Sequence, residues 1–305
     1  MTESGPAMVT IEGLEVSAGE FRLTVPTFTL SAGDIVAVIG PNGSGKTTLL
    51  ESILGLRKPV RGKVDVLGDR VANLARNRER LRRLGCQLQQ SSYSQQLYVG
   101  ELLDLHRTLY EEVDASIAGR LNVSELRGLK YKRLSRGQKQ RIDIFVAVGH
   151  RPDLLFLDEP GTGLDARFLD EFAAILRELT REQGAAVIMA SHNADEVASA
   201  NRALVLDDGR LTADIRLPGD LHPFLGACRH DLVFDNIQSA AKAAIALKAF
   251  PSILRVVPRG AGVRVYETGG LGRNLPNLVT EPITSYAFCS TGLDHLIEAA
   301  ARKEL

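Results

Sequence analysis

The sequence predicts an α/β protein built on a largely parallel sheet, followed by a small C-terminal α+β domain. Continuous apolar runs such as DIVAVIG (34–40), DLLFLDEP (153–160) and AAVIMASH (185–192) are typical of strands buried on both faces of a sheet. Helical patterns alternate with these runs over roughly the first 215 residues. A glycine-rich loop also follows the first run and opens a helix, which is a phosphate-binding arrangement.

The N-terminal half contains the antiparallel and helical parts of this prediction. VTIEGLEV (9–16) and EFRLTVPTFTL (20–30) read as antiparallel strands with turn signals between them. KTTLLESILGL (46–56) has helical spacing, and LARNRERLRRL (74–84) is a charged helical stretch that precedes mostly helical sequence up to residue 133. We therefore expect a helical subdomain at about 85–150.

The second half of the first domain closes the pattern and then changes in composition. FLDEFAAILRELTREQ (168–183) predicts a helix between two sheet strands, and RALVLDDGRLTAD (202–214) predicts a hairpin that turns at Asp208-Gly209. The prolines and glycines of LPGDLHPFLG (217–226) indicate a linker. These features predict a first domain at 1–216 and a second at 217–305.

The second domain reads as strand, helix, strand, strand, an irregular stretch, strand and helix. This order suggests a small α+β domain with a split βαβ arrangement. Thr291 and Asp294 have capping-box spacing at the last helix. The segments are DLVF (231–234), IQSAAKAAIALKAF (237–250), ILRVVP (253–258), GVRVYE (262–267), TSYAFCS (284–290) and GLDHLIEAAARKEL (292–305).

Composition argues against several classes of protein. The 305 residues are 44% hydrophobic and 24% charged with a formal net charge of zero, so no nucleic-acid partner is indicated. Cys86, Cys228 and Cys289 have no metal-ligand spacing, which predicts a reducing compartment without disulfides or zinc. Neither a signal-peptide pattern nor an apolar run of the ~20 residues that span a bilayer is present. We expect a chain that does not cross a membrane but can attach to a protein that does.

The loop GPNGSGKTT (40–48) fits the pattern G-x-x-x-x-G-K-[ST] between a predicted strand and a predicted helix. Its glycines let consecutive backbone N–H groups converge on phosphate oxygens, and the helix dipole favours the anion. Lys46 supplies a cation for the β- and γ-phosphates, and Thr47 offers a hydroxyl to Mg²⁺. The sequence therefore predicts a nucleotide site.

Two consecutive carboxylates end the apolar strand in LLFLDEP (154–160). Asp158 is placed to hold Mg²⁺ through water at the carboxyl edge of the sheet. Neighbours on a strand point to opposite sides, so Glu159 has a different task and can polarise the attacking water. Alone, the pair would suit a solvated loop equally well; the phosphate-binding loop upstream favours the metal site.

Five motifs in this order resemble the ATP-binding subunit of an ABC transporter over residues 9 to about 215. They are GPNGSGKTT, LSRGQKQR, LLFLDEP, GTGLDA and MASHNADE. The resemblance implies a P-loop cassette that binds ATP and Mg²⁺ and hydrolyses ATP. The residues it implies for the triphosphate are Gly40, Pro41, Asn42, Gly43, Ser44, Gly45, Lys46, Thr47 and Thr48.

The same resemblance implies roles for the other motifs. Asp158 would organise Mg²⁺ with Thr47, Glu159 would act as general base, and His192 would contact the γ-phosphate. Asp165, in GLD, would be the aspartate of the family's D-loop and part of the ATP site.

The resemblance also implies that Gln89, in GCQLQQ, senses Mg²⁺ and couples to the membrane subunit. Gln90 competes for this position because the spacing allows either. The stretch is rich in glutamine from Gln87 to Gln96, so solvated loop amides are the alternative interpretation.

LSRGQ (134–138) resembles the ABC signature sequence. Ser135 and Gly137 lie where a helix begins, so free N–H groups and a hydroxyl can bind a γ-phosphate there, and Gln138 completes the motif. The resemblance implies that this turn closes over ATP held by another subunit, so two cassettes pack head to tail. We expect the pair to be a homodimer, with a second, different cassette as the alternative partner. An ordinary N-capped helix is the alternative interpretation of the motif.

Three positions depart from the family pattern. Arg136 stands where the family commonly has glycine, and Gly161 replaces a usual polar residue. The aromatic that stacks on adenine has no obvious counterpart: Ala18 falls near its place, and Phe21, three residues on, is the candidate substitute.

The resemblance implies a motor subunit that associates with separately encoded transmembrane permease subunits at the cytoplasmic face of the membrane. The C-terminal helix TGLDHLIEAA (291–300) loosely resembles the tail of drug and polysaccharide exporter ATPases, which indicates export. A soluble ABC ATPase of translation, DNA repair or assembly is the main alternative. A regulatory cassette that binds ATP without useful turnover is the third. The transported substrate is not encoded in these motifs.

Overall fold

The computed structural model describes residues 5–88, 93–110 and 112–305. The chain divides into two compact units, Met1–Asp214 and Ile215–Leu305. Each unit has its own sheet, and the last strand of the first sheet ends at Arg216. In the described ranges, no helix combines the length and the apolar character needed to cross a bilayer.

The first unit consists of one large sheet with helices on both faces. Its strands are β1 (Ala7–Ala18), β2 (Phe21–Ser31), β3 (Ile35–Ile39), β4 (Arg61–Val66), β5 (Asp69–Arg70), β6 (Leu84–Gln87), β7 (Leu154–Asp158), β8 (Ala186–Ala190), β9 (Arg202–Asp207) and β10 (Arg210–Arg216). Its helices are α1 (Lys46–Ile53), α2 (Val71–Leu74), α3 (Arg78–Arg82), α4 (Val99–Leu109), α5 (Ala115–Arg120), α6 (Arg136–Val148), α7 (Ala166–Gln183) and α8 (Ala194–Val197), with 3-10 turns at Ser124–Leu126 and Tyr131–Arg133.

The described strands of this unit pair in the order β5-β4-β1-β2-β10-β9-β3-β8-β7-β6. β9, β3, β8, β7 and β6 are parallel, whereas β1 pairs antiparallel with β2 and with β4. The carboxyl ends of the parallel strands therefore share one edge, where ligands bind in such sheets. The predicted α/β fold with antiparallel N-terminal strands is confirmed.

The parallel strands are buried on both faces, which explains their continuous apolar sequence. In β3, Val36 and Val38 pack into one apolar cluster and Ile35 packs into the other. α1 covers the first face with residues such as Leu50, and α7 covers the second with residues such as Ile175. Each fully buried side chain of this kind contributes ~1.5–3 kcal/mol, so the strands that hold the loops are firmly fixed.

Two local predictions were wrong. The stretch LARNRERLRRL forms not one helix but parts of two, because Asn77 interrupts it and its side chain accepts a hydrogen bond from Arg80 N at 3.2 Å as the N-cap of α3. β6 lies inside the range that we assigned to helical sequence, and it pairs in parallel with β7. Its four residues are too few to show a strand period next to a charged helix.

The second unit is a four-stranded antiparallel sheet with helices. Its elements are α9 (Leu221–Leu225), β11 (Cys228–Phe234), α10 (Ile237–Leu247), β12 (Ile253–Arg259), β13 (Gly262–Glu267), a 3-10 helix (Gly272–Leu278), β14 (Ile283–Ser290) and α11 (Leu293–Ala301). The sheet order is β12-β13-β11-β14. β11 and β12 run in the same direction on either side of β13, with α10 between them in sequence, which is the predicted split βαβ arrangement.

The predicted capping box at α11 is wrong. The residue before the helix is Gly292, and its N–H donates to Nδ1 of His295 at 3.0 Å. The Thr291 hydroxyl donates instead to the Gly226 carbonyl, so it is not available to cap the helix. The side chain of His295, and not that of Asp294, therefore accepts the hydrogen bond from the backbone N–H that precedes the helix.

Ion pairs join α11 to the sheet of the second unit. Arg264, in β13, donates to Asp231 Oδ1 at 2.6 Å and to Glu298 Oε1 at 2.9 Å. Arg229 donates to Glu298 Oε2 at 2.6 Å. Burial alone raises the pKa of Glu298, but the hydrogen bonds from Arg264 and Arg229 outweigh it and hold the pKa at about 2.

We expect Glu298→Gln to loosen this unit in a pH-dependent way. Because the folded-state pKa lies below the ordinary value of 4.5, the stabilisation is complete above pH 4.5 and is lost as the pH falls through about 2. The free energy of local opening should fall by about 1 kcal/mol at pH 7, and the difference from wild type should shrink in acid. Hydrogen exchange of peptides from β11 and α11, at matched pH for both proteins, measures this. A difference that is unchanged at pH 3 would contradict it.

Candidate nucleotide-binding site

The glycine-rich loop joins β3 to α1 at the carboxyl edge of the sheet. Gly40, its first residue, has φ +153°, and a Cβ there would lie 2.1 Å from the carbonyl oxygen of Leu206. Only glycine fits this position, because the loop passes directly against the backbone of β9. The Gly209 N–H donates to the Ser44 carbonyl at 3.1 Å and holds the loop from the β9–β10 turn.

The loop contains polar groups that suit phosphate. Lys46 is buried, and its Nζ donates to the carbonyls of Gly40 at 2.9 Å and Pro41 at 3.0 Å. Burial lowers the pKa of Lys46, while the nearby carboxylates of Glu159 and Asp158 oppose this shift. The hydroxyl oxygen of Ser44 is buried without a hydrogen-bond partner in the described structure. An orphaned hydroxyl and a buried cation in one loop fit a bound anion.

Thr47 and Asp158 come together although 111 residues separate them, since the Thr47 hydroxyl donates to Asp158 Oδ2 at 2.8 Å. Burial raises the pKa of Asp158, and the hydrogen bond from Thr47 opposes this. Hard oxygen ligands of this kind are those that Mg²⁺ prefers. The donor set therefore fits the metal that the sequence predicts.

Gln87 is a residue of this region that the sequence reasoning missed. It ends β6, is 3% exposed, and donates from Nε2 to the backbone carbonyl of Asp158 at 3.3 Å. Its Oε1 is buried without a described partner. No local signal marked it, because β6 has only four residues and shows no strand period. Gln89 and Gln90 lie outside the described residues.

Glu159 adopts a left-handed backbone conformation, with φ 51°, immediately after β7. This conformation is strained for a residue with a side chain, and such strain is concentrated at functional sites. Its N–H donates to the Ala190 carbonyl at 2.9 Å, which fixes the turn to β8. Oε1 lies 3.2 Å from His192 Nδ1, and the Glu159 side chain is 21% exposed. The carboxylate is thus held in place yet accessible to water.

The LSRGQ turn (134–138) at the start of α6 lines a separate cleft of about 230 Å³. Ser135 caps α6: its hydroxyl accepts from Gln138 N at 3.2 Å, and its own N–H donates to Gln138 Oε1 at 2.9 Å. Gly137 lies against the Gly163 carbonyl, which a Cβ would approach to 2.7 Å. Asp165, the N-cap of α7, lines the same cleft. The structure therefore brings Ser135, Gly137, Gln138 and Asp165 together, without any residue of the 40–48 loop.

Arg136 and Phe21 account for two of the departures from the family pattern. The stem of Arg136 packs on Gly163, which lines the cleft, with Cγ 3.1 Å from the place that a Cβ of Gly163 would take. Phe21 is half-buried with its Cζ 2.9 Å from the corresponding position at Gly45. Phe21 therefore lies beside the first turn of α1, whereas Ala18 offers no ring.

Comparison with known proteins shows which family the chain belongs to. A family model described as ABC transporter matches residues 23–162. The lipoprotein-releasing system ATP-binding protein LolD 1 of Caulobacter vibrioides is 34% identical over 206 residues, which cover 63% of this chain and 86% of that protein. The chain belongs to the ABC transporter ATP-binding subunits. The molybdenum import ATP-binding protein ModC of Mycobacterium tuberculosis is 36% identical over 217 residues, covering 65% of this chain and 58% of that protein.

Solved structures of ABC cassettes share the fold. A dimeric post-hydrolysis state of the cassette MJ0796, bound to ADP and phosphate, matches 70% of this chain and 100% of its own with a TM-score of 0.61 and 24% identity. An ATP-binding subunit of another ABC transporter matches 71% of this chain with a TM-score of 0.65. The predicted family, the ATPase activity, and the use of ATP and Mg²⁺ are thus confirmed.

Proposed function

We propose that the chain powers an ABC exporter, with two copies forming two shared ATP sites. The observation that supports the shared sites is that the LSRGQ turn (134–138) and the phosphate-binding loop (40–48) do not line a common cleft. The cleft of Ser135 and Asp165 is lined by no residue of the phosphate-binding loop, so it is suited to the nucleotide of a second copy.

At each site we propose that the loop from Gly40 to Thr48 holds the triphosphate and that Phe21 lies near the base. Thr47 and Asp158 would hold Mg²⁺, with Gln89 as a further proposed ligand, and the bound ion would supply positive charge to the transferred phosphoryl group. Lys46 turns from the loop carbonyls to the phosphate oxygens. These residues bind and orient the substrate; they form no covalent bond with it.

Glu159 is the proposed general base of the hydrolysis. Its carboxylate accepts the proton of a water molecule aligned with the bond to the leaving phosphate. His192, at 3.2 Å from this carboxylate, orients it and is exposed enough to reach a γ-phosphate. Asp158 accepts a hydrogen bond from Thr47 whereas Glu159 lies beside His192, so metal binding and proton transfer are separate tasks.

An apolar groove of the first unit is the proposed docking site for a helix of the membrane subunit. The groove measures about 390 Å³, and its lining is mostly leucine. Leu84, in β6, lines it, while Gln87 of the same strand contacts the backbone of Asp158. A helix seated in the groove would thus lie one short strand away from the metal site. The lining residues are Leu54, Leu56, Leu81, Leu84, Cys86, Leu88, Tyr110 and Val146.

We expect Leu56→Asp to remove the chain from membranes without loss of nucleotide binding. Leu56 is 67% exposed, so a carboxylate there does not disturb the core but places an unpaired charge in the docking surface. Co-purification of the tagged chain with detergent-solubilised membranes should fall at least about 10-fold, which corresponds to roughly 1.4 kcal/mol.

Ile245→Asp is the matched control, because Ile245 is 73% exposed on α10 of the second unit. It should leave membrane co-purification unchanged. Equal loss in both variants would contradict docking in the groove. Wild-type chain that sediments with ribosomes rather than with membranes would instead support the soluble ABC ATPase.

We propose that the second unit is a separate domain at 217–305 and that its tail helix indicates export as the direction of transport. We also propose that the chain resides at the cytoplasmic face of the membrane. The relatives do not decide this point, since LolD 1 is named for lipoprotein release and ModC for molybdenum import. Reconstitution with the membrane subunits tests the direction. Substrate should accumulate on the side opposite to the cassettes, and uptake toward them that depends on a separate binding protein would overturn the proposal.

A further inference from the structure

Glu196 is a buried carboxylate that the proposed chemistry does not use. It lies in α8, four residues after His192, and is 7% exposed. Its Oε1 accepts a hydrogen bond from Gly161 N at 3.1 Å. Its Oε2 is buried without a described partner. Burial of a carboxylate costs free energy, so this placement calls for a compensating role.

The lack of a side chain at Gly161 leaves space for this carboxylate. A Cβ at Gly161 would lie 2.2 Å from Glu196 Oε1 and 2.6 Å from Leu169 Cδ2. The φ angle of Gly161 lies outside the left-handed region, so the backbone conformation itself does not demand glycine. The unusual glycine after Pro160 therefore makes room for Glu196.

The contact holds the segment that follows the proposed general base. Glu159 begins this segment, and two side chains hold the next two residues. Gln140, from α6, donates to the Pro160 carbonyl at 2.5 Å, and Glu196 binds the Gly161 N–H from the other side. Glu159, His192 and Glu196 line one cleft of about 290 Å³. Glu196 thus connects the loop of His192 to the backbone next to Glu159.

We propose that Glu196 is a positioning residue for ATP hydrolysis, which sets the Glu159 carboxylate relative to His192 by holding the Gly161 N–H. This inference rests on the proposed role of Glu159. A displacement of about 1 Å in a reacting group can cost a 10²-fold loss in rate, so a single backbone hydrogen bond at this place has a catalytic effect. No residue of the phosphate-binding loop lines the cleft of Glu196, so KM for ATP should change little.

Steady-state ATPase kinetics of the full chain test the proposal. Glu196→Ala should lower kcat about 10-fold or more, with KM for ATP within about twofold of wild type. Glu196→Gln keeps an oxygen acceptor for the Gly161 N–H and should retain most of kcat. Gly161→Ala should lower kcat like Glu196→Ala, because its Cβ displaces the carboxylate. The Gly161→Ala/Glu196→Ala protein should be no slower than either single variant, since removal of the carboxylate removes the nearest contact of the methyl group and leaves only the flexible end of Leu169 to shift.

Asp195→Ala is the matched control, because Asp195 is the exposed neighbour in the same helix. It should keep wild-type kcat. The proposal is overturned if Glu196→Ala keeps kcat within twofold of wild type, if Glu196→Gln fails to restore the rate, or if the two single losses add in the double variant. Failure of the proposed function has a different signature: Glu159→Gln would then keep wild-type turnover, whatever the Glu196 variants do.

Discussion

The Glu159→Gln protein is expected to hydrolyse ATP about 10³-fold more slowly than wild type while it still binds MgATP. The amide preserves the shape of the side chain at the strained turn, but it cannot accept a proton from water. ATP should therefore persist between two copies, and the mass in solution should shift from monomer to dimer when MgATP is added. Light scattering with and without MgATP measures the shift, and phosphate release measures the turnover.

Asp158→Asn is the informative comparison, because it changes the neighbouring carboxylate. It removes a charge that contacts Thr47 rather than the group beside His192, so turnover should fall but no MgATP-dependent dimer should accumulate. A Glu159→Gln protein that remains monomeric at saturating MgATP would mean that this chain pairs with a different cassette. A Glu159→Gln protein with turnover within a few-fold of wild type would contradict the role of Glu159 as general base.

The parts of the site that local sequence could predict are those built from contiguous residues. The loop at 40–48 follows from glycines, a lysine and a threonine between a strand and a helix, and Ser135 with Gln138 carries its own capping-box spacing. The hairpin at Asp208-Gly209 follows likewise from two residues that accept positive φ, with φ values of 43° and 73°.

The parts that sequence could not predict depend on contacts between distant residues. Gln87 contacts Asp158 across two neighbouring strands, and the strand of Gln87 is too short to show a period. The glycine at position 161 is explained by the carboxylate of Glu196, 35 residues away, which lies where a side chain at position 161 would be. A glycine that is required by lack of space has no local sequence pattern, because the residue that occupies the space is distant in sequence and is brought there by the fold.

Two inactive variants are expected to restore each other's activity when mixed. Lys46→Ala removes the cation of the phosphate-binding loop and should lower turnover at least about 10²-fold, since charge-assisted contacts to a transferring phosphoryl group are among the largest catalytic contributions. Ser135→Asp keeps the N-cap of α6, because aspartate caps as well as serine, but it places an anion where the neighbour's γ-phosphate should lie. Ser135→Asn caps equally well without the charge, so it isolates the electrostatic effect.

In a mixed dimer, one site combines the intact Lys46 of one copy with the intact Ser135 of the other, while the second site carries both changes. In an equimolar mixture whose copies exchange freely, about half of the dimers are mixed, so the mixture should regain up to about a quarter of wild-type turnover. Each variant alone remains inactive because both of its sites carry the same defect. A mixture no more active than its components would contradict a site shared between two copies. Activity that persists in Ser135→Asp alone would show that the Ser135 cleft does not face a phosphate at all.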